Sequence, residues 1–461
     1  MIWYVIRYTI FGIFVALTIY FVWKKKYEHL LWLYFFTFPF QNCAAHIFTT
    51  WNPYKVVAIG MAFVMLFQPI KQRLPSELKQ LFSYFVFLLL ASNIAGLFMP
   101  SPTAGLRGMV RLFVQDITYL LGFIPILYMK WLPLDFGKRV LKWYTAAICT
   151  LIGIGFIHYA FIRAGIPFAP IMRDVGTTNM VAATHFGGNI VYRIYGLCGE
   201  PKNMAFALVP FVLYILAKML IDKDRSKRTW IILLSSIFIF INTYSSAAYI
   251  EFIIGFIVVL FIALNSTNQK AKYLIVSIFL LCCTLIYTYT LVSPINSVSP
   301  TKEQQTFLDS FYERSFGRAQ NELEEGRTET IITKDFLQSH NIIYYLFGYG
   351  PGQYSFHGEN LTFANGYIPV QSGLVLNLVD FGLCGYIYFL ALLHFVLRLY
   401  RRNKNYQDRT SMYFIIMGGA VLLGNMMYSM MGGSILIGML PFIGIAYWID
   451  YNNQEIKNTY D

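Results

Sequence analysis

Thirteen apolar stretches divide the chain, and most of them are long enough to cross a lipid bilayer as an α-helix. A helix needs about 20 apolar residues to cover the hydrocarbon core of a membrane. Two of the stretches, 29–43 and 230–241, are short for this purpose, so we expect about 12–14 transmembrane helices. The predicted spans are residues 2–23, 29–43, 54–69, 78–98, 109–128, 143–161, 204–221, 230–241, 247–264, 273–291, 374–399, 412–430 and 435–449.

The charged fraction of the chain agrees with this class. Only 13% of the residues are charged, whereas soluble domains contain about 25%. No internal repeat or linker interrupts the sequence. We therefore predict an all-α polytopic membrane protein whose residues 1–461 form one integral domain in a lipid bilayer.

Basic residues concentrate in alternate loops between the predicted spans. The loops at 24–26, 71–79, 130–142, 218–228, 270–272 and 398–409 contain 22 Lys and Arg and only 5 acidic residues. Residues 293–371 instead contain 5 basic and 9 acidic residues. Because cytoplasmic loops carry the excess of Lys and Arg, we predict an external N-terminus, a cytoplasmic C-terminus and two large external loops, 164–203 and 293–371.

The same charge distribution and the cysteine pattern exclude several partners. The net charge of +13 is explained by the cytoplasmic loops, so we expect no nucleic-acid partner. Five of the six cysteines lie in or beside apolar stretches, and the sequence contains no CxxC or Cys/His spacing typical of zinc sites. We therefore expect no disulfide framework, no metal and no cofactor.

The external loop 164–203 ends in a cluster of polar residues directly before a span. Arg193 and Lys202 can both bind phosphate, and the guanidinium of Arg193 can do so with two parallel hydrogen bonds. Pro201 suits the first turn of the following helix, whose N-terminal N–H groups favour anions. The alternative is that these residues are ordinary charges at the membrane interface and a helix cap.

The second external loop, 293–371, offers further arginines. Arg314 and Arg318 are four residues apart, so on a helix they would share one face and could bracket a diphosphate. They could equally pair with neighbouring acids on a solvated helix. The spacing of Phe307 and Phe311, and then of Ile332 and Phe336, predicts two short amphipathic helices, the second of which begins at Arg327 and ends in the glycine turn 347–352. The neighbouring acids are Glu313, Glu322, Glu324 and Glu325.

Five ionisable residues fall within the predicted spans. Such residues usually face the interior of a helix bundle or a water-filled cavity and mark functional sites. Near the ends of spans, a charged side chain can instead extend to the interface. The five are Arg111, Asp116, His158, Glu251 and Asp380.

Three sequence patterns coincide with those of one known family. The first is an external Arg–Gly–acid–Pro motif that opens a span, formed by Arg193, Gly196 and Glu200-Pro201. The second is Arg327 at the start of a helix that ends in the glycine turn 347–352, which contains Tyr349. The third is a span with Asn377 and Asp380 that ends in Gly382-Leu383-Cys384-Gly385.

On these residues, from Arg193 to Phe389, the chain resembles the bacterial O-antigen polymerases and ligases. The resemblance implies a GT-C-like membrane glycosyltransferase of the bacterial inner membrane with its active site facing the periplasm. Its substrates would be oligosaccharide repeat units on undecaprenyl diphosphate, joined with inversion and without a metal in polysaccharide and lipopolysaccharide biosynthesis. A chain-length regulator protein would be a further partner. The residues expected to bind the diphosphate or glycan are Arg193, Arg327, Arg314, Arg318, Lys202, Tyr349 and Gln371.

One departure separates the two branches of the family. Ligases, which transfer glycan to the lipid A core, carry a catalytic histidine about eleven residues before the last Gly-Leu, where this chain has Gln371. This difference favours the polymerase branch. The expected catalytic base is then Glu200 or His357. A flippase or transporter for lipid-linked oligosaccharides is the alternative from another functional class.

Overall fold

Long helices make up most of the structure. The computed structural model describes residues 2–37, 40, 43–47, 49–67, 74–98, 105–132, 136–166, 183–186, 189–266, 328–354, 373–404, 409–427 and 435–460. Within these ranges the helices are α1 (Ile2–Trp23), α2 (Tyr27–Thr37), α3 (Pro53–Phe67), α4 (Ser76–Phe98), α5 (Gly105–Tyr128), α6 (Phe136–Arg163), α7 (Pro201–Ile221), α8 (Lys227–Ile241), α9 (Ser246–Ser266), α10 (Thr328–Gln338), α11 (Ile342–Phe347), α12 (Gly373–Asn403), α13 (Thr410–Met427) and α14 (Ile435–Tyr460). Two short antiparallel hairpins join them, β1 (Ala45–Ile47) with β2 (Thr49–Trp51) and β3 (Ala183–Phe186) with β4 (Asn189–Tyr192).

Six of these helices are long and apolar enough, by length and composition, to cross a membrane. They are α1, α4, α5, α6, α7 and α12, and three shorter apolar segments lie in α3, α9 and α13. The predicted class, a helical protein with several membrane spans, is therefore confirmed. The predicted span 273–291 lies outside the described residues, and the total of 12–14 spans stays a prediction.

Helix α2 is shorter than its predicted span. The apolar stretch 29–43 predicts a crossing, but the helix ends at Thr37, two residues before Pro39. Its 11 residues extend for only about 16 Å, since each residue of an α-helix advances 1.5 Å. Leu30, Leu31 and Phe35 are fully buried, so α2 packs inside the bundle between α3 and α6. After α2, the carbonyl of Ala44 binds Arg7 near the start of α1, so the chain returns toward that end of α1.

Helix α7 forms the centre of the bundle. It is buried along most of its length, and it packs against α8, α9 and α13. The outer helices carry large apolar side chains that face away from the protein, for example Leu66, Phe87 and Phe113. Because α7 starts at Pro201, the Arg193–Pro201 motif is attached to a helix that is buried along most of its length.

Ion pairs tie the predicted cytoplasmic loops together. Glu77 accepts hydrogen bonds from Arg398 and Arg402, at 3.1 and 2.8 Å, and Arg402 also lies 3.6 Å from Asp450. Elsewhere Arg139 pairs with Glu28 and Arg409 with Asp222. The ion pairs thus join loops that the charge pattern predicts on one side of the membrane. The charge pattern alone predicts which side that is.

We predict that the C-terminal end of α6 faces the outside and the C-terminal end of α12 faces the cytoplasm, so that only the first is accessible to an impermeant reagent. In a background without native cysteines, a cysteine replacing the exposed Ala164 should react with an impermeant thiol reagent in intact spheroplasts. One replacing the exposed Lys404 should react only after permeabilisation. We choose Lys404 as the inner probe and not the adjacent Asn403, because the side chain of Asn403 is buried.

The opposite labelling pattern would overturn the predicted orientation. Labelling at both positions in intact cells would show that one of them is not at a membrane boundary as predicted.

Candidate functional site

The arginine of the 193–201 motif is fixed to the turn between α8 and α9. Its Nε donates to the carbonyl oxygen of Thr243 at 2.9 Å, and its Nη2 donates to that of Tyr244 at 3.0 Å. The next residue, Ile194, donates its backbone N–H to the carbonyl of Asn242 at 3.1 Å. A cation is favourable at this place because the carbonyl oxygens at the end of a helix carry partial negative charge. These two bonds orient the guanidinium, and because carbonyls are neutral acceptors they do not cancel its charge.

His158 of α6 holds the middle of the same motif. Its Nδ1 accepts hydrogen bonds from the backbone N–H groups of Tyr195 and Gly196, at 3.3 and 3.2 Å. The imidazole is therefore the neutral tautomer with its proton on Nε2. Gly196 has a φ of +49°, a conformation that favours glycine. The sequence predicts a functional role for His158, and the structure gives it a positioning role.

Glu200 and Lys202 flank the first residue of α7. Glu200 occupies the N-cap position, but its side chain makes no capping hydrogen bond. Pro201 occupies the first helical turn, as predicted. Helix α7 therefore begins with the acidic Glu200 before Pro201 and the basic Lys202 after it. The backbone N–H groups at this N-terminus favour anions.

Two neighbouring groups in the motif are kept neutral by burial. Burial raises the pKa of the Tyr195 phenol to about 12, because the apolar surroundings disfavour its charged form. Burial also raises the pKa of the Cys198 thiol. Neither side chain is suited to act as a nucleophile or base at neutral pH.

The second predicted motif, the glycine turn, is inserted against a break in α12. At Gly382 the backbone leaves the helical conformation, with φ 62° and ψ −152°. The carbonyl of Val379 accepts from the N–H of Tyr349 at 2.7 Å, and that of Asp380 accepts from Gly350 at 3.2 Å. Ser92 of α4 also donates to the Asp380 carbonyl, at 2.8 Å. The turn and Ser92 thus bind carbonyl groups beside the break.

The side chain of Asp380 completes this junction. Its Oδ1 accepts from the backbone N–H of Gly352 at 2.9 Å, and its Oδ2 accepts from the hydroxyl of Tyr119 at 3.2 Å. Gln353 binds the turn to α5 through the carbonyl of Gly108, at 2.9 Å. Asp380 is buried, so it faces the interior and not the interface.

The turn can approach α12 this closely only because both partners are glycines. A Cβ atom on Gly348 would lie 2.4 Å from the carbonyl carbon of Asp380, and one on Gly382 would lie 2.6 Å from that of Leu346. Gly348 also has a φ of +75°. The glycine spacing thus has a steric reason that does not depend on a ligand.

Tyr349 is the residue of the turn that we predicted to bind substrate. Its ring is buried and packs edge-on against Phe336 and Tyr344, with ring centroids 5.1 and 4.7 Å apart. Ile332 and Phe336 of α10 belong to the same apolar cluster, so this predicted amphipathic helix packs on the bundle. The short helix α11, which the sequence analysis does not predict, separates α10 from the turn. The position of the ring gives Tyr349 a packing role.

Other predicted site residues lie outside the described residues. They are Arg314, Arg318, Arg327, His357 and Gln371, together with the predicted helix containing Phe307 and Phe311. In the part of the chain that the structure describes, no group of three His, Cys, Asp or Glu side chains could hold a metal ion.

The structure adds polar residues that the sequence reasoning missed. Asn93 donates to Asp116 at 2.7 Å, and Lys55 lies 3.5 Å from the hydroxyl of Thr118 on the same helix as Asp116. The sequence signal that could have identified these residues is a polar side chain in or beside an apolar stretch. It is shared by Lys55, Ser92, Asn93 and Tyr119. Their partners are far away in the sequence, so spacing could not identify them.

Comparison with known proteins adds no further constraint. No protein-family model matches the chain, and no curated protein matches it in sequence. The family resemblance therefore depends on the motifs themselves.

We predict that Gly348→Ala destabilises the protein by on the order of 3 kcal/mol, because it combines a strained φ with overlap against the α12 backbone. The matched control is Gly153→Ala on the exposed face of α6, where an added Cβ meets no atom within 4 Å. That control should be neutral or slightly stabilising. Thermal unfolding of the two purified variants in detergent measures the difference, and equal melting temperatures would contradict the close approach.

Proposed function

We propose that this protein is a membrane glycosyltransferase of the O-antigen polymerase type. It would join oligosaccharide repeat units carried on undecaprenyl diphosphate, at the periplasmic face of a bacterial inner membrane. The GT-C-like architecture and the polymerase branch are part of this proposal. The observation that carries it is the arginine of the motif, whose guanidinium is oriented by two carbonyl groups of the α8–α9 turn and which precedes the first residue of α7 by eight positions.

The charges around the start of α7 suit a diphosphate leaving group. Arg193 and Lys202 supply positive charge, and the N-terminus of α7 adds the partial positive charge of its backbone N–H groups. Fixed groups of this kind stabilise charge that develops in a transition state, because they need not reorganise during the reaction. Arg327, Arg314 and Arg318 are proposed to contribute from the second external loop, and Gln371 to contact the glycan.

The reaction would be a displacement at the anomeric carbon of the growing chain. A hydroxyl of the incoming repeat unit attacks this carbon, the bond from the carbon to the diphosphate oxygen breaks, and undecaprenyl diphosphate departs with both electrons of that bond. Attack from the opposite face inverts the configuration. The proton of the hydroxyl passes to a base, for which Glu200 and His357 are the candidates.

Glu200 is the candidate base that the structure describes. Its position at the N-cap of α7 supports this role, because we propose that the diphosphate binds at the start of that helix. Its carboxylate is not used to cap the helix. A carboxylate that capped the helix would be bound to backbone N–H groups and would be a weaker base.

One feature also suits the alternative, a flippase or transporter for lipid-linked oligosaccharides. Transporters commonly contain helices that are broken within the membrane, and α12 is broken at Gly382. Reconstitution of the purified protein with lipid-linked repeat units separates the two functions. Lengthening of the glycan in detergent supports a polymerase, and movement across vesicle membranes without lengthening supports transport. Transfer to a lipid A core acceptor would identify a ligase.

We predict that Arg193→Lys lowers the rate of glycan lengthening about a hundredfold or more, since one lost charge-stabilising group costs on the order of 3 kcal/mol. An ammonium group cannot reproduce the planar fork that binds two carbonyls and a phosphate. The matched control is Arg163→Lys, because Arg163 is exposed in the last turn of α6, five residues beyond His158. Its hydrogen bond among the described residues is to Tyr159 of the same helix. Lengthening is measured by gel separation of the products.

A melting temperature recorded for each variant separates loss of activity from loss of folding. Near-normal lengthening by a folded Arg193→Lys variant would remove Arg193 from the proposed site.

For the base, we predict that Glu200→Gln abolishes lengthening whereas Glu200→Asp retains a reduced rate. Glutamine keeps the shape of the side chain but cannot accept the proton, while aspartate keeps the carboxylate one methylene further away. Initial rates across a range of pH provide the measurement. If the Gln variant works at the wild-type rate throughout, His357 becomes the candidate.

A further inference from the structure

A buried carboxyl group lies in the interior of the helix bundle. Glu251, in the second turn of α9, is completely buried. Among the described residues, neither of its carboxylate oxygens has a hydrogen-bond partner. It is also absent from the mechanism proposed above.

The helices that pack on α9 supply no nearby opposite charge in the part of the chain that the structure describes. Helix α7 carries Lys202 and Lys218 near its two ends and Tyr214 between them, and α13 carries Tyr413. Helix α8 has Lys227 and Arg228 at its start, at the end of the helix remote from the α8–α9 turn. On α9 itself, Tyr249 donates its hydroxyl to the Ile241 carbonyl.

Among the described residues, Tyr144 of α6 is a titratable side chain within electrostatic range of Glu251. Its hydroxyl lies 3.4 Å from the carbonyl of Ala207, where α6 packs on α7. A phenol and a carboxyl group both carry negative charge when they ionise, so Tyr144 cannot neutralise a carboxylate.

An ionised carboxylate in such surroundings is strongly unfavourable. The cost of moving it from water amounts to several kcal/mol even after the protein relaxes, and an unpaired buried group commonly neutralises instead. Intramembrane acids of this kind generally mark functional positions.

We propose that Glu251 is a proton-binding site in the interior of the bundle, occupied by a proton whenever α9 is packed against α7 and α13. Release of the proton would leave a negative charge between these helices. The charge would have to be matched by water or a cation entering between the helices.

This site is connected to the arginine motif through the start of α9. The carbonyl of Tyr244, which binds Arg193, lies only two residues before the first residue of α9. A movement of α9 on proton release would therefore act on the position of Arg193. The proton site itself does not depend on the proposed glycosyltransferase function.

The test is an infrared difference spectrum of the full-length protein in lipid vesicles at neutral pH, wild type minus Glu251→Gln. Glutamine has nearly the same shape and is neutral, so the variant should fold. We expect the difference spectrum to contain the carbonyl-stretch band of a protonated carboxylic acid. A carboxylate band in its place would show that Glu251 is ionised and would overturn the proposal.

The matched control is Glu77→Gln, because Glu77 is bound by Arg398 and Arg402. Its difference spectrum should contain a carboxylate band. The control shows that the method distinguishes the two forms in this protein.

A second measurement tests the connection to the motif. In wild type, raising the pH until the acid band disappears should increase hydrogen exchange of the backbone at the start of α9. The Glu251→Gln variant should show no such increase over the same range. Equal exchange in both proteins would contradict the connection, and the infrared result would still decide whether the proton site exists.

Discussion

A helix that breaks inside a membrane has to transfer its freed backbone groups to other partners, because lipid offers no hydrogen bonds. In α12 this requirement arises at Gly382, and the N–H groups of Tyr349 and Gly350 bind the carbonyls of Val379 and Asp380. Gln353 binds the turn to α5, and Ser92 of α4 binds the Asp380 carbonyl beside the break. The positions of α10, α11 and the turn therefore all follow from one break, and so does the need for glycine where the two backbones meet.

The arginine motif is held by the same kind of contact in a different place. Arg193 and His158 each bind two backbone groups of the opposite polarity, carbonyls in the first case and N–H groups in the second. Each side chain replaces hydrogen bonds that regular secondary structure would otherwise supply. A loop fixed in this way can present charged groups with a defined geometry, which is what stabilisation of a transition state requires.

Local patterns in the sequence predicted the helices well, because helix formation and helix starts depend on residues that are close together in the sequence. The start of α7 at Pro201 and the packing face of Ile332 and Phe336 are examples. The hairpins were missed because three- and four-residue strands leave almost no periodicity. The end of α2 was missed because the apolar stretch continues beyond Thr37 to Cys43. The contacts that build the site join residues such as Ser92 and Asp380, which are 288 positions apart. Spacing carries no information about such pairs, so the sequence suggested the polar residues without their partners.

The two ends of the bundle are stabilised by different physical interactions. At the basic end, ion pairs connect the loops, and a partly exposed pair such as Arg398–Glu77 contributes only about 0–1 kcal/mol because water screens it. At the other end, Arg193, His158 and Asp380 bind backbone groups, and His158 and Asp380 are buried. A buried hydrogen bond is costly to leave unmade, so these contacts define geometry more strictly than the ion pairs do. If the proposed reaction takes place there, the rigid motif must accept a large glycan by movement of the surrounding helices, and α9, which begins beside Arg193 and contains Glu251, is the helix through which such movement would reach the bundle interior.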